Sequence, residues 1–178
     1  MLRRFRKPDP NAQAARRIYE CLVERSRAPD FYRAFGVADT IDGRFDLLAL
    51  HAYLALDALG AEGAAGRAVG EALVTTIFTG FDEALRDLGV SDMGLSRRIK
   101  AMANAFYGRL DAYRAAAESE TALAEAILRN IYRGEDGHAG EAAALAKYVR
   151  YARADLQTPK ARLALLTGTL DYGPLPKP

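Results

Sequence analysis

Asp42 and Asp46 are the residues whose spacing comes nearest to supporting a reaction. Four positions apart on a helix, two carboxylates stand one above the other, as a general acid and base would need. A simpler account fits equally. Carboxylates in the first helical turn favour the positive end of the dipole, and Arg44 lies between them as an ion-pair partner. The remaining candidates are scattered. His51 and His138 are separated by most of the chain, and no HExxH pair or Cys/His cluster offers metal-ligand spacing. Cys21 is the single cysteine, which excludes an internal disulfide and a thiolate metal site. No GxSxG elbow occurs, and Gly63, Gly66 and Gly70 lack both the GxGxxG spacing and a preceding strand. The expectation is a protein without metal, cofactor or catalytic site, in which His51 is a core residue with a hydrogen-bond partner.

The elements that position these residues are helices. Apolar residues recur with helical spacing nearly everywhere, and no convincing alternating strand pattern is present. Asp9-Pro10 and Thr158-Pro159 read as caps followed by proline at the first helical position. A first helix carries Ile18, Leu22 and Val23 inward and ends before Pro29; a short one follows over Asp30 to Phe35. The helix starting near Asp42 is apolar on nearly every face as far as Leu59, so it is predicted to be the buried centre of the domain. A linker over Gly60 to Gly66 leads to a helix with Val69, Leu73, Ile77, Ala84 and Leu88 on its inner side. After Ser91-Asp92-Met93-Gly94 comes a helix with three faces. Ile99, Met102, Phe106, Leu110 and Tyr113 form an apolar stripe, and Ala101, Ala105, Gly108 and Ala112 a small-residue stripe that admits a neighbouring helix. Lys100, Asn104, Tyr107, Asp111 and Arg114 share the third face, where Tyr107 is a large aromatic among groups that favour water. Further helices carry Leu123 to Ile131 and Leu145 to Leu156, and the proline-containing tail from Gly168 to Pro178 is expected to be irregular and mobile.

The fold class predicted is therefore all-α, one multi-helix domain of about seven to eight helices. A chain of 178 residues, 50% hydrophobic and 27% charged, buries enough surface for a core of its own. No stretch approaches the roughly 20 apolar residues that span a bilayer. The basic start, Leu2-Arg3-Arg4-Phe5-Arg6-Lys7, runs into Pro8-Asp9-Pro10 where a signal peptide would need an apolar core. The protein is expected to stay in the cytoplasm. Residues 1 to 27 hold eight basic against three acidic residues, a net +5, which leaves −3 for the remainder. Arg3, Arg4, Arg6 and Lys7 thus form a basic arm suited to an anionic membrane surface or the ribosome. No DNA partner is expected.

Two stretches carry a resemblance. Phe31-Tyr32-Arg33-Ala34-Phe35-Gly36-Val37-Ala38-Asp39-Thr40-Ile41-Asp42-Gly43-Arg44-Phe45-Asp46-Leu47-Leu48-Ala49-Leu50-His51 resembles the signature of the ubiquinol–cytochrome c chaperone family. So does Gly89-Val90-Ser91-Asp92-Met93, with Arg98, Lys100, Met102-Ala103 and Ala105-Phe106-Tyr107-Gly108-Arg109 after it. Ala38 stands where the pattern has proline, and Leu95-Ser96 where it has valine-proline. The resemblance implies an ATP-independent chaperone that binds newly made cytochrome b, or another subunit, during assembly of respiratory ubiquinol:cytochrome c reductase. The alanine- and arginine-rich style, with no mitochondrial presequence, leads to the expectation of a bacterial member working at the inner face of the cytoplasmic membrane.

The predicted docking surface combines a corner of Asp39, Asp42, Arg44 and Asp46 with Lys100, Asn104, Tyr107 and Arg109 of the later helix. The alternative is a helical domain binding a quinone, haem or lipid. That reading requires an apolar pocket of a few hundred cubic ångströms near His51. A hydrolase using Asp42 and Asp46 would need one open cleft holding both.

Overall fold

In the computed structural model, which describes residues 9–174, eight α-helices follow one another. They are α1 (Pro10–Ser26), α2 (Pro29–Arg33), α3 (Ile41–Gly60), α4 (Gly63–Asp87), α5 (Asp92–Ala116), α6 (Glu120–Ile131), α7 (Ala139–Leu156) and α8 (Pro159–Leu166). A short 3-10 turn, Asp136–His138, precedes α7. Among the described residues there is no strand, and no helix is long and apolar enough to cross a membrane.

Side-chain caps set several of the starts. The Asp9 carboxylate accepts from the Asn11 amide at 3.0 Å, Thr40 from Gly43 at 3.1 Å, Ser119 from Ala122 at 3.2 Å and Thr158 from Ala161 at 3.3 Å. Each satisfies an amide that the helix itself leaves open, worth about 1 kcal/mol. The expected linker before α4 is shorter than its glycines suggest, since only Ala61 and Glu62 separate α3 from α4. A Cβ at Gly66 would lie 1.8 Å from the Leu59 carbonyl oxygen, so this glycine serves close packing of the helical hairpin.

Helix α3 is the centre. Every residue from Asp46 to Ala55 is buried, because α1, α4, α5, α6, α7 and α8 all pack against it. The contact of Phe45 with Phe81 makes α3 and α4 an antiparallel hairpin, and Phe78 with Tyr107 does the same for α4 and α5. On α4 the buried line is Val69, Leu73, Ile77, Phe81 and Leu85, while Ala84 and Leu88 are exposed. Steps of four residues turn about 40° each around the axis. The buried line thus drifts off the predicted stripe as it follows α1, α3 and α5. The aromatic residues Phe31, Phe35, Phe106 and Tyr113 are core.

The tail is irregular but anchored as far as Gly173. Leu170 and Tyr172 are buried, and the Tyr172 hydroxyl donates to the His51 carbonyl at 2.8 Å. Arg25 donates to the Gly173 carbonyl at 2.8 Å, and the Cys21 thiol to the Leu170 carbonyl at 3.3 Å. Mobility was the expectation for a proline-containing terminus; the aromatic ring of Tyr172 overrides it by filling a core position. Residues 175–178, and the basic arm of Arg3, Arg4, Arg6 and Lys7, lie outside the described residues.

Candidate functional site

Asp46 is the first correction to the predicted docking surface. It is wholly buried, because the first turns of α3 dip beneath α5 and the end of α6. Arg109 places Nε 2.7 Å and Nη2 2.6 Å from Asp46 Oδ1, and Arg133 places Nη2 2.8 Å from Oδ2. One carboxylate thus joins α3, α5 and the α6 terminus. Burial pushes the Asp46 carboxyl up from its usual value, and the two guanidinium groups draw it back down. Arg109 is the second correction. Its side chain is only 15% exposed, with Nη1 donating to the Ala105 carbonyl at 3.0 Å and its guanidinium 5.0 Å from the centre of the Phe45 ring. It turns inward from α5 to neutralise Asp46.

Arg133 was not foreseen, and no local pattern could have found it. It follows the α6 terminus, 87 positions from its partner, in the left-handed conformation at φ 57°. Such a backbone is uncommon without glycine and is held here by the surroundings. Tyr132, one residue earlier, donates to the Phe35 carbonyl at 2.6 Å, which ties the same segment to the loop before α3. The Arg133 side chain is 48% exposed, so the buried charge system reaches solvent at this point.

The other predicted residues face outward. Asp39 and Arg44 pair with each other at 2.8 Å, rather than Arg44 pairing with Asp42 or Asp46. Asp42 is exposed in the first turn of α3. With Asp46 sealed inside, the two carboxylates share no cleft, which removes the hydrolase reading. A Cβ at Gly43 would sit 2.0 Å from the Ala38 carbonyl oxygen, so the loop can close on α3 only over a glycine. On α5, Lys100, Asn104 and Tyr107 are all exposed, together with Asp111 and Arg114. Tyr107 is 47% exposed and stacks on Phe78 at 6.1 Å. Phe78 meets Phe81 at 5.6 Å, and Phe81 meets Phe45 at 5.5 Å. A ribbon of rings therefore runs from the buried corner to the surface. Phe78 and Phe81 were legible as aromatic residues three apart on α4, and only their contact across helices was not. The small-residue stripe departs from expectation, since it is covered only in part, with Ala105 and Ala112 half-buried. Ala101 and Gly108 are exposed, and the space beside Gly108 is open.

The pocket that the ligand-binding alternative requires beside His51 is filled. The His51 Nδ1–H donates to the Leu47 carbonyl at 2.7 Å, and Nε2 accepts from the Tyr148 hydroxyl at 2.9 Å. Phe31, Tyr148 and Tyr172 close around the ring at centroid distances of 5.2, 5.8 and 4.9 Å. Burial holds its pKa down at about 3, so the imidazole is neutral. The grooves nearby are superficial. One of about 760 Å³ is lined by Tyr19, Val23, Ala28 and Pro29, another of about 240 Å³ by Cys21, Arg25 and Tyr172, and neither is lined by His51. Among the described residues no group of three or more His, Cys, Asp or Glu could hold a metal ion.

This architecture is shared with a protein of known structure. The crystal structure of the Cbp3 homolog from Brucella abortus superposes with a TM-score of 0.81 at 35% identity, over 93% of this chain and 92% of that one. Residues 33–169 match the model of the ubiquinol-cytochrome C chaperone family, and the chain belongs to that family. Ubiquinol-cytochrome-c reductase complex assembly factor 1 of Xenopus laevis is 26% identical over 163 residues, covering 91% of this chain and 82% of that protein. The human protein of the same name is also 26% identical over 163 residues. There this chain spans 54% of the relative's length.

Proposed function

We propose that this protein is an ATP-independent chaperone that binds newly made cytochrome b, or another subunit of the same complex, while ubiquinol:cytochrome c reductase is assembled. It works as a binder and not as a catalyst, at the inner face of a bacterial cytoplasmic membrane. The docking surface is the Asp39–Asp42–Arg44 corner together with Lys100, Asn104 and Tyr107. Asp46, Arg109 and Arg133 lie beneath it as positioning residues. The observation that carries the reading is Tyr107. A half-exposed tyrosine stacked on Phe78, amid polar neighbours, is the kind of rigid aromatic that anchors protein interfaces. Membership of a family named for chaperoning ubiquinol–cytochrome c components supports the choice of client.

The test is complementation of a strain lacking this protein. Tyr107→Ala combined with Arg44→Ala is expected to leave the chaperone folded, to lower spectroscopically measured cytochrome b severalfold, and to abolish co-purification of the client. Unchanged cytochrome b and unchanged co-purification would remove this surface from the assignment.

A further inference from the structure

Arg97, Arg98 and Lys100 form a cluster of three cations within one turn of α5, whereas Lys147 and Lys160, which also lack an acidic residue three or four positions away, are single. Arg16, Arg114 and Arg129 each have a carboxylate three or four residues away and pair with it, as Arg86 does with Asp82. No position three or four residues from Arg97, Arg98 or Lys100 is acidic. All three are exposed, and among the described residues none of them makes an ion pair.

Tertiary packing supplies no partner either. The Tyr53–Tyr113 contact sets the register of α3 against α5, which the two hairpins make parallel. Counted from that contact, α5 begins nine residues further back than α3, an overhang of roughly 13 Å at 1.5 Å per residue. Arg97, Arg98 and Lys100 lie on this overhang. Further along, Asp111 and Arg114 neutralise each other at 2.9 Å, so the uncompensated charge is confined to the first half of the helix.

Resting on the reading of α5 as a docking face, we propose that its first half receives an acidic helical segment of a partner protein. The segment's carboxylates meet Arg97, Arg98 and Lys100. Its backbone lies close to α5 over Ala101 and Gly108, which are exposed, and the space beside Gly108 is open among the described residues. Charge complementarity selects an anionic partner, and the pattern of charge selects a helix over a nucleic acid. A phosphate backbone is followed by cations spread along its path. Here the cations end after one helical turn, and the track continues through Ala101, Asn104, Tyr107 and Gly108 without charge.

The full chain is titrated, at low and at high salt, with four probes. These are an alanine-based helical peptide carrying glutamate along one face, its glutamine counterpart, a single-stranded 20-nucleotide RNA, and phosphatidylcholine vesicles containing phosphatidylglycerol. The comparison protein carries Arg97→Gln, Arg98→Gln and Lys100→Gln, and its circular dichroism and melting are expected to match the parent. The glutamate peptide is expected to bind at least about tenfold more tightly than the glutamine peptide at low salt, and to weaken as salt rises. The triple variant is expected to lose that preference. Equal binding of the two peptides, full binding by the triple variant, or a loss confined to RNA or vesicles would each overturn the proposal. Should Tyr107→Ala with Arg44→Ala impair assembly while the triple variant keeps its peptide binding, the docking face stands and the acidic helix falls. Should the triple variant lose the peptide while assembly survives Tyr107→Ala with Arg44→Ala, the reverse holds.

Discussion

Two polar clusters lie within the same helical body, and they end differently. Around His51 every hydrogen bond closes internally. Leu47 accepts from the ring, Tyr148 donates to it, Arg25 donates to the Tyr148 oxygen at 3.1 Å, and Tyr172 locks the tail over the His51 carbonyl. Around Asp46 the chain of contacts runs outward, through Arg133 to solvent and through Phe45, Phe81 and Phe78 to Tyr107. A closed network serves uniqueness of packing. An interior network that reaches the surface fixes what the surface presents, and this second cluster is the one joined to the proposed docking face.

The contrast can be broken most directly at Arg109. Arg109→Ala leaves a buried carboxylate with one half-exposed partner and is expected to cost about 3–5 kcal/mol in urea denaturation. Replacing Asp46 and Arg109 together with Leu and Met should cost much less, since no charge is then left unpaired. If the single and double variants are equally unstable, the ion pair is not what holds the corner. Tyr172→Ala tests the closed cluster, with an expected loss of about 3–5 kcal/mol from emptying a core position. A loss near zero would return the tail to the loose terminus that its prolines suggest.

Acidity separates the two clusters next. An unfolded His51 takes up a proton near pH 6.5, and the folded one only near 3. Between those values the unfolded state binds more protons, so stability falls as pH drops, by up to about 1.4 kcal/mol per unit. Denaturation midpoints at pH 7 and pH 5 should show this slope in the native protein and a shallower one in His51→Gln. Equal slopes would mean that the imidazole is not held neutral. The smallest stability change belongs to Tyr107→Ala, about 1 kcal/mol or less for a half-exposed ring. Its melting curve should hardly move even where cytochrome b assembly fails; a large shift would place Tyr107 in the core instead of the interface.

How much of this was legible varies with distance along the chain. Asp9 and Thr158 announced their helix starts because a cap is an interaction within three residues. The apolar surround of α3 announced its burial, and Tyr107 announced itself as a misfit on a polar face. Asp46 misled for a clear reason. A carboxylate near a helix N-terminus is explained locally by the dipole, so nothing called for a remote partner. The α5 stripe of Ala101, Ala105, Gly108 and Ala112 suggested a neighbouring helix, but Ala101 and Gly108 remain exposed.

Sequence by itself determined the helical class, the capped starts at Asp9 and Thr158 and the family signature, because caps, periodicity and motif order are short-range properties of the chain. Tertiary structure alone decided which charges are buried, that Arg133 meets Asp46, that the space beside His51 is filled, and that Arg97, Arg98 and Lys100 stay unpaired within the described structure. These depend on contacts between residues tens of positions apart. Their energies arise from burial and exact placement in three dimensions, which spacing along a sequence does not encode.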